Sequence, residues 1–376
     1  MMVKFRIAPH IESLVPYPPG KPLEELEREY GITGSIKLAS NENAWGPSPK
    51  AVAAIREALV NLHRYPDGSC HYLGAKLAER LGVQSSQIIF GNGSNEIIGL
   101  LITALVAPGE EVITCQPTFL MYQKLVQVQG ACNRIVPLKD MHHDLPAILA
   151  AITGKTRLIF LDIPNNPCGT IITKAEFENF LRQVPEQVVV VLDEAYVDFV
   201  DPKVRLDALA YLPDRENEPA LRKTVVTLRT FSKAYGLAGL RIGYGVMAAK
   251  LAGYLHRVRQ PFNVNNLAQI GALAALDDEE HYRRTLDGTA AGMAWLAKEV
   301  AELGCRPLPS HTNFFLIDVL GNGKKLYEQM LSKGVIVRPM QAYGFPNHIR
   351  ITVGQEAENH RFVAALAASM QELGYV

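Results

Sequence analysis

The sequence contains few cysteines and tryptophans, and it has no excess of charge of either sign. Of its 376 residues five are cysteine and two are tryptophan, and 38 basic residues balance 38 acidic ones. No two cysteines form a Cys-x-x-Cys pair, so we expect reduced thiols rather than a disulfide framework or a metal site. The balanced charge argues against a protein whose main partner is nucleic acid.

Long hydrophobic runs are also absent. No stretch approaches the roughly 20 apolar residues that a membrane span requires. The first ten residues, MMVKFRIAPH, have neither the apolar core nor the cleavage site of a secretory signal. The composition, 48% hydrophobic and 20% charged, is that of an ordinary globular enzyme. We therefore expect a soluble, cytoplasmic protein without a membrane partner.

Seven short runs rich in β-branched residues follow one another between residues 87 and 246, and helical segments separate most of them. They are QIIF (87–90), EVITC (111–115), NRIVPL (133–138), RLIFLD (157–162), VVVVLDEAY (188–196), TVVTLRTFSK (224–233) and RIGYGV (241–246). The runs show no clean alternation of polar and apolar residues, which is typical of strands covered on both faces. This pattern predicts an α/β fold with a mostly parallel, seven-stranded sheet.

The pattern changes after about residue 262. Two helical stretches, near 265–277 and 280–303, precede the strand-like runs NFFLIDV, VIVRPM and IRITVG, and an amphipathic helix covers 356–373. We predict three parts: an N-terminal arm (1–38) that packs with the small domain, a large ligand-binding domain (39–262) and a smaller α+β domain (263–376).

Ligands of such sheets bind beyond the carboxyl ends of the strands. The first of these ends, GNGSNE (91–96), places glycines before an apolar helix, and the start of such a helix favours binding of an anion. A turn of this sequence nevertheless has a purely structural role more often than a binding role. It matches neither a Walker loop nor a dinucleotide fingerprint. Phe119 in PTFLMY would either lie against an aromatic ligand or pack in the core. In the turn IPNNPCG (163–169), an asparagine amide would either donate a hydrogen bond to a ligand or form hydrogen bonds within the turn.

Two later strand ends carry ionisable groups. Asp193 ends a strand that is expected to be buried, where a carboxylate needs a partner such as a protonated ring nitrogen, and Tyr196 follows it. Lys233 lies among small uncharged residues in TFSKAYGLAGLRIGY, a setting in which an amine loses its proton more easily and becomes a nucleophile. Taken alone, such a lysine is more often a surface cation. Arg241 adds a guanidinium suited to phosphate.

One ligand would use all of these groups together, namely pyridoxal 5′-phosphate (PLP), which combines an aldehyde, a pyridine nitrogen, a ring oxygen and a phosphate. The sequence indeed resembles the fold-type I PLP-dependent aminotransferases, and among them the histidinol-phosphate aminotransferase family. The resemblance lies in KLASNENAWGPSPKA, YPDG, IIFGNGSNE, PTF, PNNPCG, DEAYVDF, LRTFSKAYGLAGLRIGY, PFNVNNLAQ and IRITVGQEAEN, in order from about residue 37 to 359. Asn95 stands where the family often has Asp, and Cys168 where it often has Thr.

The resemblance implies a role for each residue of the expected site. Lys233, Asp193 and Tyr196 would be catalytic: the lysine would form a Schiff base with PLP and then move a proton, and the aspartate would pair with the pyridinium. Asn166 and Tyr196 would contact the ring oxygen, and Phe119 would stack on the ring. The remaining residues expected to hold the cofactor, mostly at its phosphate, are Ser94, Asn95, Glu96, Thr230, Ser232 and Arg241.

The resemblance also implies substrate contacts at Tyr17, Asn43, Arg338 and Arg350. Two arginines would neutralise a doubly charged phosphate, whereas one suffices for a carboxylate. Tyr65 would reach the cofactor phosphate in a neighbouring subunit, so a homodimer is expected.

The implied reaction is ping-pong transamination of L-histidinol phosphate with 2-oxoglutarate to imidazole-acetol phosphate and L-glutamate, a step of histidine biosynthesis. An aromatic amino-acid aminotransferase, which shares these motifs, and a PLP decarboxylase of a phosphorylated amino acid remain alternatives. A non-catalytic PLP-binding regulator would carry an added DNA-binding module, for which the sequence has no basic helix-turn-helix. A nucleotide-binding protein is disfavoured because the phosphate-loop patterns are missing.

Overall fold

The computed structural model describes residues 6–16, 20–212 and 218–375. Its α-helices are α1 (Pro9–Glu12), α2 (Leu23–Tyr30), α3 (Pro49–Ala58), α4 (His71–Leu81), α5 (Ser94–Leu105), α6 (Met121–Val128), α7 (Leu145–Ala150), α8 (Lys174–Gln183), α9 (Ala249–Val258), α10 (Asn266–Ala275), α11 (Glu279–Glu302), α12 (Gly323–Leu331) and α13 (Glu356–Leu373). Its strands are β1 (Ile36–Lys37), β2 (Ile88–Gly91), β3 (Glu111–Gln116), β4 (Cys132–Pro137), β5 (Thr156–Asp162), β6 (Val189–Asp193), β7 (Thr224–Thr230), β8 (Gly243–Val246), β9 (Arg306–Pro307), β10 (Phe314–Asp318), β11 (Val335–Ile336), β12 (Arg338–Pro339) and β13 (His348–Thr352).

The largest sheet has seven strands in the order β2-β8-β7-β6-β5-β3-β4. Strand β8 runs antiparallel to both of its neighbours, and the pairings among β3 to β7 are parallel. The seven runs found in the sequence correspond to β2 through β8, so the predicted mostly parallel sheet is confirmed. The register places Asp162 of β5 beside Asp193 of β6, which brings two carboxylates to the same edge.

The central strand β6 shows why these runs lack alternation. Val190 and Leu192 pack into a cluster with helices α7 and α8, whereas Val189 and Val191 pack into the cluster on the opposite face with α5 and α9. Both faces of the strand are therefore apolar. A strand covered by helices on both sides needs a continuous hydrophobic run, which the sequence supplies.

The C-terminal part contains an antiparallel sheet in the order β12-β13-β10-β9 and a separate parallel pair of β1 with β11. Residues of α11, α12 and α13 pack with Phe315, Ile317 and Ile349 in one cluster. This agrees with the predicted smaller α+β domain. The run VIVRPM, which reads as one strand, is divided, because β11 pairs with β1 while β12 pairs with β13.

The arm and the domain boundaries at residues 38 and 262 stay predictions. In the structure, Leu26 of α2 packs with Leu331 and Ile336 of the C-terminal part, whereas α1 lies against α6. Helix α10, which follows the predicted boundary at residue 262, packs against α3 and α4, which precede it. In the ranges that the structure describes, no helix combines the length and the apolar character needed to cross a membrane.

Candidate active site

A cavity of about 430 Å³ lies at the carboxyl ends of β5, β6 and β7. This is where an open α/β sheet normally binds its ligand. Ten of the residues proposed from the sequence line it, and they are Ser94, Asn95, Phe119, Asn166, Asp193, Tyr196, Thr230, Ser232, Lys233 and Arg241. The sheet thus brings together residues from distant motifs, which are close in space because parallel strands end at one edge.

Asp193 lies buried on one side of this cavity. Its Oδ2 accepts a 2.7 Å hydrogen bond from the phenol of Tyr122, and its Oδ1 accepts one of 3.1 Å from the backbone N–H of Ala195. Burial raises the pKa of Asp193 to about 7, while the hydrogen bond from Tyr122 opposes that shift. A cationic partner in the cavity would remove the penalty of burying this carboxylate.

The amine of Lys233 is partly buried in the same cavity. Its Nζ donates to the backbone carbonyl of Asn41 at 3.1 Å. The pKa of Lys233 is lowered to about 8, first by burial and then by the guanidinium groups of Arg350 and Arg241, while Glu42 opposes the shift. A substantial fraction of the amine is therefore neutral near physiological pH, as a nucleophile or base requires.

The phenol of Tyr196 lies between two amides. Its oxygen accepts from Asn41 Nδ2 at 2.9 Å and from Asn166 Nδ2 at 3.4 Å. The Oδ1 of Asn166 in turn accepts a 2.5 Å hydrogen bond from Arg350. Burial raises the pKa of Tyr196 to about 12, so the phenol keeps its proton.

The N-terminus of α5 and the start of β8 form a close-packed cradle for an anion. Gly93 has φ of +74°, and a Cβ at Gly243 would lie 2.4 Å from the backbone nitrogen of Ser94. Only glycine permits this approach. The Arg241 guanidinium lies beside Gly93, and among the described residues the buried Asn95 Oδ1 has no hydrogen-bond partner. Helix N-termini favour anions, so the cradle suits a phosphate.

Two hydroxyls complete one side of the cavity. Thr230 donates to the Ser232 hydroxyl at 2.9 Å, and the backbone N–H of Ser232 donates back to the Thr230 hydroxyl at 3.1 Å. Both side chains are buried, which fixes their positions beside Lys233.

Three residues proposed from the sequence do not line this cavity. Glu96 accepts from the backbone N–H of Asn92 at 2.5 Å and so stabilises the turn before α5. The amide of Asn43 donates to the carbonyl of Ala234 at 2.9 Å, behind Lys233. Tyr65 is 84% exposed, and its ring stacks on Phe262. Their roles stay predictions.

Arg338 and Arg350 lie directly opposite each other on the neighbouring strands β12 and β13. Directly paired residues project from the same face of a sheet, so the two guanidinium groups share one side. Arg350 reaches Asn166 at the first cavity, whereas Arg338 lines a second cavity of about 450 Å³ together with Gly20 and Lys21 of the arm. Tyr17, the remaining substrate residue proposed from the sequence, lies outside the described residues.

The sequence interpretation did not single out Tyr122, Asn41 or Asp162. Asp162 accepts from Thr118 at 2.9 Å, from the Asn165 amide at 3.0 Å and from the backbone N–H of Asn166 at 2.8 Å, and so orders the PNNP turn. One signal was available, since Asp162 also ends a buried strand. Within the described ranges, no cluster of His, Cys, Asp or Glu is suited to a metal ion.

Residues 33–366 match the sequence model of the class I and II aminotransferases. The chain belongs to this family. The aminotransferase is 58% identical over 374 residues to the histidinol-phosphate aminotransferase of Desulfotalea psychrophila, with 100% of this chain and 98% of the relative covered. It is 46% identical to the histidinol-phosphate aminotransferase of Moorella thermoacetica, with 95% and 91% covered.

The aminotransferase is also similar to a solved structure, the histidinol-phosphate aminotransferase from Sinorhizobium meliloti in complex with pyridoxal-5′-phosphate. The two superpose with a TM-score of 0.89 at 30% identity over 99% of both chains. The family and the fold class expected from the sequence are therefore confirmed.

Proposed function

We propose that this aminotransferase uses PLP to convert L-histidinol phosphate and 2-oxoglutarate into imidazole-acetol phosphate and L-glutamate, a step of histidine biosynthesis. The observation that carries the proposal is the 58% identity, over the whole chain, to a histidinol-phosphate aminotransferase. Such a biosynthetic role also supports the expected cytoplasmic location.

The donor set of the cavity fits PLP. Lys233 offers a partly neutral amine for the aldehyde, Asp193 a buried carboxylate for the pyridine nitrogen, and Asn166 and Tyr196 hydrogen bonds for the ring oxygen. The cradle at Gly93, where the Arg241 guanidinium lies beside the N-terminus of α5, fits the phosphate. When bound, PLP accepts the amino group from one substrate, stabilises the negative charge that develops at the substrate Cα and supplies the amino group to the oxo acid.

The protein's own groups would then orient the reactants and move protons. Lys233 Nζ would remove the proton from the substrate Cα, a task that suits an amine with a pKa of about 8. Asp193 would keep the pyridine nitrogen protonated, with its carboxylate held in place by Tyr122 and the Ala195 N–H. The half-buried ring of Phe119 would pack against the cofactor ring, and Ser94, Thr230, Ser232 and Arg241 would hold the phosphate.

The arginine pair supports a phosphorylated substrate. Arg338 and Arg350 project from the same side of the small sheet, and their two positive charges match the double negative charge of a phosphate monoester. A substrate with only one carboxylate would need one of them. The Asn43 amide donates to the backbone carbonyls of Lys233 and Ala234. Asn43 would therefore affect the substrate by positioning this segment rather than by direct contact.

The homodimer is part of the proposal. Several apolar side chains near Tyr65 are exposed, and they are Leu59, Val60, Leu62, Tyr65 and Phe262, with exposed fractions of 46, 77, 60, 84 and 48%. An apolar patch of this kind is typical of a subunit interface. A second copy of the chain would cover it, and Tyr65 would then reach the cofactor phosphate of that copy.

A half-reaction tests the proposed function. L-Histidinol phosphate is added to the PLP-loaded protein without an acceptor, and the visible absorption band of bound PLP is followed. We expect the band to fall, and 2-oxoglutarate to restore it with formation of glutamate. L-Histidinol, which lacks the phosphate, is the matched control substrate and should react far more slowly with the wild-type protein. The difference in rate between the two substrates should be smaller after Arg338→Gln.

Three outcomes would contradict this assignment. A response to phenylalanine or tyrosine but not to histidinol phosphate would indicate an aromatic aminotransferase. Release of CO2 from a phosphorylated amino acid without an oxo acid would indicate a decarboxylase. Failure to bind PLP would exclude both of these enzymes and the proposed one.

A further inference from the structure

Asn41 connects the catalytic lysine, the active-site phenol and the small sheet. It is 2% exposed, and its φ of 55° lies in the left-handed region that residues other than glycine seldom adopt. Its backbone carbonyl accepts from Lys233 Nζ at 3.1 Å, and its amide donates to the phenol of Tyr196 at 2.9 Å. A backbone held in this conformation at such a position suggests a functional constraint.

The hydroxyl of Thr352 fixes the orientation of the Asn41 amide. It accepts from the Asn41 backbone N–H at 2.9 Å and donates to Asn41 Oδ1 at 3.3 Å. With the amide oxygen occupied in this way, the amide nitrogen faces Tyr196. Thr352 stands two residues after Arg350 on β13, so the strand that would bind the substrate anion also holds Asn41.

The oxygen of Tyr196 consequently accepts hydrogen bonds from two amides. Asn41 supplies one amide N–H and Asn166 the other, and the Asn166 amide is itself oriented by Arg350, which donates to its oxygen. Both partners donate an N–H to this oxygen, so neither of them accepts the proton of the phenol. The proton of Tyr196 is therefore left to form a hydrogen bond with whatever occupies the cavity that the tyrosine lines.

We propose that Asn41 is a positioning residue that makes Tyr196 a hydrogen-bond donor toward the cofactor, while its backbone carbonyl holds the amine of Lys233. The inference rests on the proposed function, because the acceptor would be the ring oxygen of PLP. The two contributions are separable, since the first uses the side chain of Asn41 and the second uses only its backbone.

A double-mutant cycle of Asn41→Gly and Tyr196→Phe tests this inference. Glycine adopts a positive φ without strain, so Asn41→Gly keeps the carbonyl that holds Lys233 and removes only the amide. The readout is the pH midpoint at which the visible band of the PLP-loaded protein changes. A donor to the ionised ring oxygen favours the deprotonated form and lowers this midpoint.

We expect Tyr196→Phe to raise the midpoint, and Asn41→Gly to raise it by up to about one pH unit, or ~1.4 kcal/mol. In the Tyr196→Phe background, Asn41→Gly should cause no further shift. The charged groups that face Tyr196 are Lys233, Asp162, Asp193 and Arg350, and all four are unchanged in these variants. Asn313→Ala removes another hydrogen bond to the Asn41 carbonyl without touching Tyr196 and should leave the midpoint in place.

The inference is overturned if Asn41→Gly leaves the midpoint unchanged, or shifts it equally with and without the Tyr196 hydroxyl. Thermal unfolding checks that each variant is folded. If Asn41→Gly does not fold, Thr352→Val, which frees the amide to rotate, takes its place in the cycle under the same criteria. A wild-type protein that shows no visible band with PLP would instead contradict the proposed function, so the two failures are distinguishable.

Discussion

The phenol of Tyr122 donates a 2.7 Å hydrogen bond to the carboxylate of Asp193, and both side chains are buried. The ring of Tyr122 stacks on Phe160 at 4.9 Å and meets Phe119 edge-on at 5.6 Å, so it is fixed from two sides. A rigid donor of this kind stabilises the ionised carboxylate, and that is the form needed to pair with a protonated pyridine nitrogen.

Replacing Tyr122 by phenylalanine should therefore weaken PLP binding and lower kcat. Loss of a buried hydrogen bond to a charged group costs about 1.5–3 kcal/mol, so we expect a decrease of roughly ten- to a hundredfold. The pKa of Asp193 would rise above its value of about 7, and the defect should be larger at pH 6 than at pH 8, because more of the carboxyl is protonated at low pH. Spectroscopic titration with PLP at both pH values measures this.

The matched control for Tyr122→Phe is Tyr282→Phe. The phenol of Tyr282 also donates a 2.7 Å hydrogen bond to an aspartate, Asp198, but neither residue lines the cavity. This change should lower the free energy of unfolding without affecting PLP affinity. Equal losses of affinity in the two variants would show that Tyr122 acts only through general stability.

The reaction of PLP with the cofactor-free protein should depend on pH through Lys233. Only the neutral amine attacks the aldehyde, so the rate should rise with pH through about 8 and then level off, rather than rise through the ordinary lysine value of 10.5. Stopped-flow measurement of the visible band gives the midpoint. A midpoint near that of an ordinary lysine would exclude the burial effect.

Arg350→Gln tests the electrostatic part of the Lys233 shift. The guanidinium of Arg350 disfavours the protonated amine, so its removal should move the midpoint upward and slow the reaction at pH 7. Arg157→Gln, which removes an arginine paired with Glu110 at the opposite end of β5, is the control and should leave the midpoint unchanged.

Substitution of Gly243 by alanine should open the anion cradle. The added Cβ would lie 2.4 Å from the Ser94 nitrogen and 2.8 Å from the Gly93 carbonyl carbon, and these backbone atoms must shift. Because this shift moves the Ser94 N–H away from the phosphate, we expect PLP affinity to fall by roughly tenfold, the equivalent of one hydrogen bond to a charged group. Overpacking of this kind also lowers the free energy of unfolding by about 1–3 kcal/mol. Isothermal titration with PLP measures the loss.

Gly245→Ala on the same strand is the control for Gly243→Ala. It distinguishes a change in the geometry of the cradle from the general destabilisation that overpacking causes. Its Cβ would meet the side-chain ends of Leu228 and Met247 at 3.1 and 3.2 Å, away from the cradle. We expect a lower unfolding temperature with nearly normal PLP affinity. If Gly243→Ala also changed only the unfolding temperature, the phosphate would not lie at the cradle.

Mixed dimers test whether Tyr65 completes the neighbouring site. Lys233→Ala and Tyr65→Ala homodimers should each have little activity. When the two chains are mixed, one site of the heterodimer would combine an intact lysine with an intact tyrosine from the partner, so activity should return toward a quarter of the wild-type value after random exchange. Sedimentation analysis controls for dimer formation. Absence of recovery in a proven heterodimer would place Tyr65 in its own subunit's site, whereas a Tyr65→Ala homodimer with normal activity would place it outside catalysis.

The secondary-structure elements and the class of site could be predicted from the amino-acid sequence. Apolar runs rich in β-branched residues, such as residues 188–192, favour buried strands between helices, because burial on both faces excludes polar positions. The chemical groups at the strand ends, among them Asp193 and Lys233, indicated the cofactor, because few ligands need an amine, a buried acid and an anion cradle together. Each of these features, taken separately, depends on residues that are close together in the sequence.

Contacts between side chains from distant parts of the sequence could not be predicted, because they depend on how the elements pack. Asn41 and Tyr196 are 155 residues apart, and the sequence interpretation, which named Asn43 as a substrate contact, did not single out Asn41 as the residue that reaches the phenol. Two asparagines so close in sequence can be told apart only by the backbone turn, which at Asn41 is left-handed and set by contacts with Thr352. The bond between Tyr122 and Asp193 likewise depends on how α6 packs on the sheet, since local propensity does not fix the distance between side chains on separate elements.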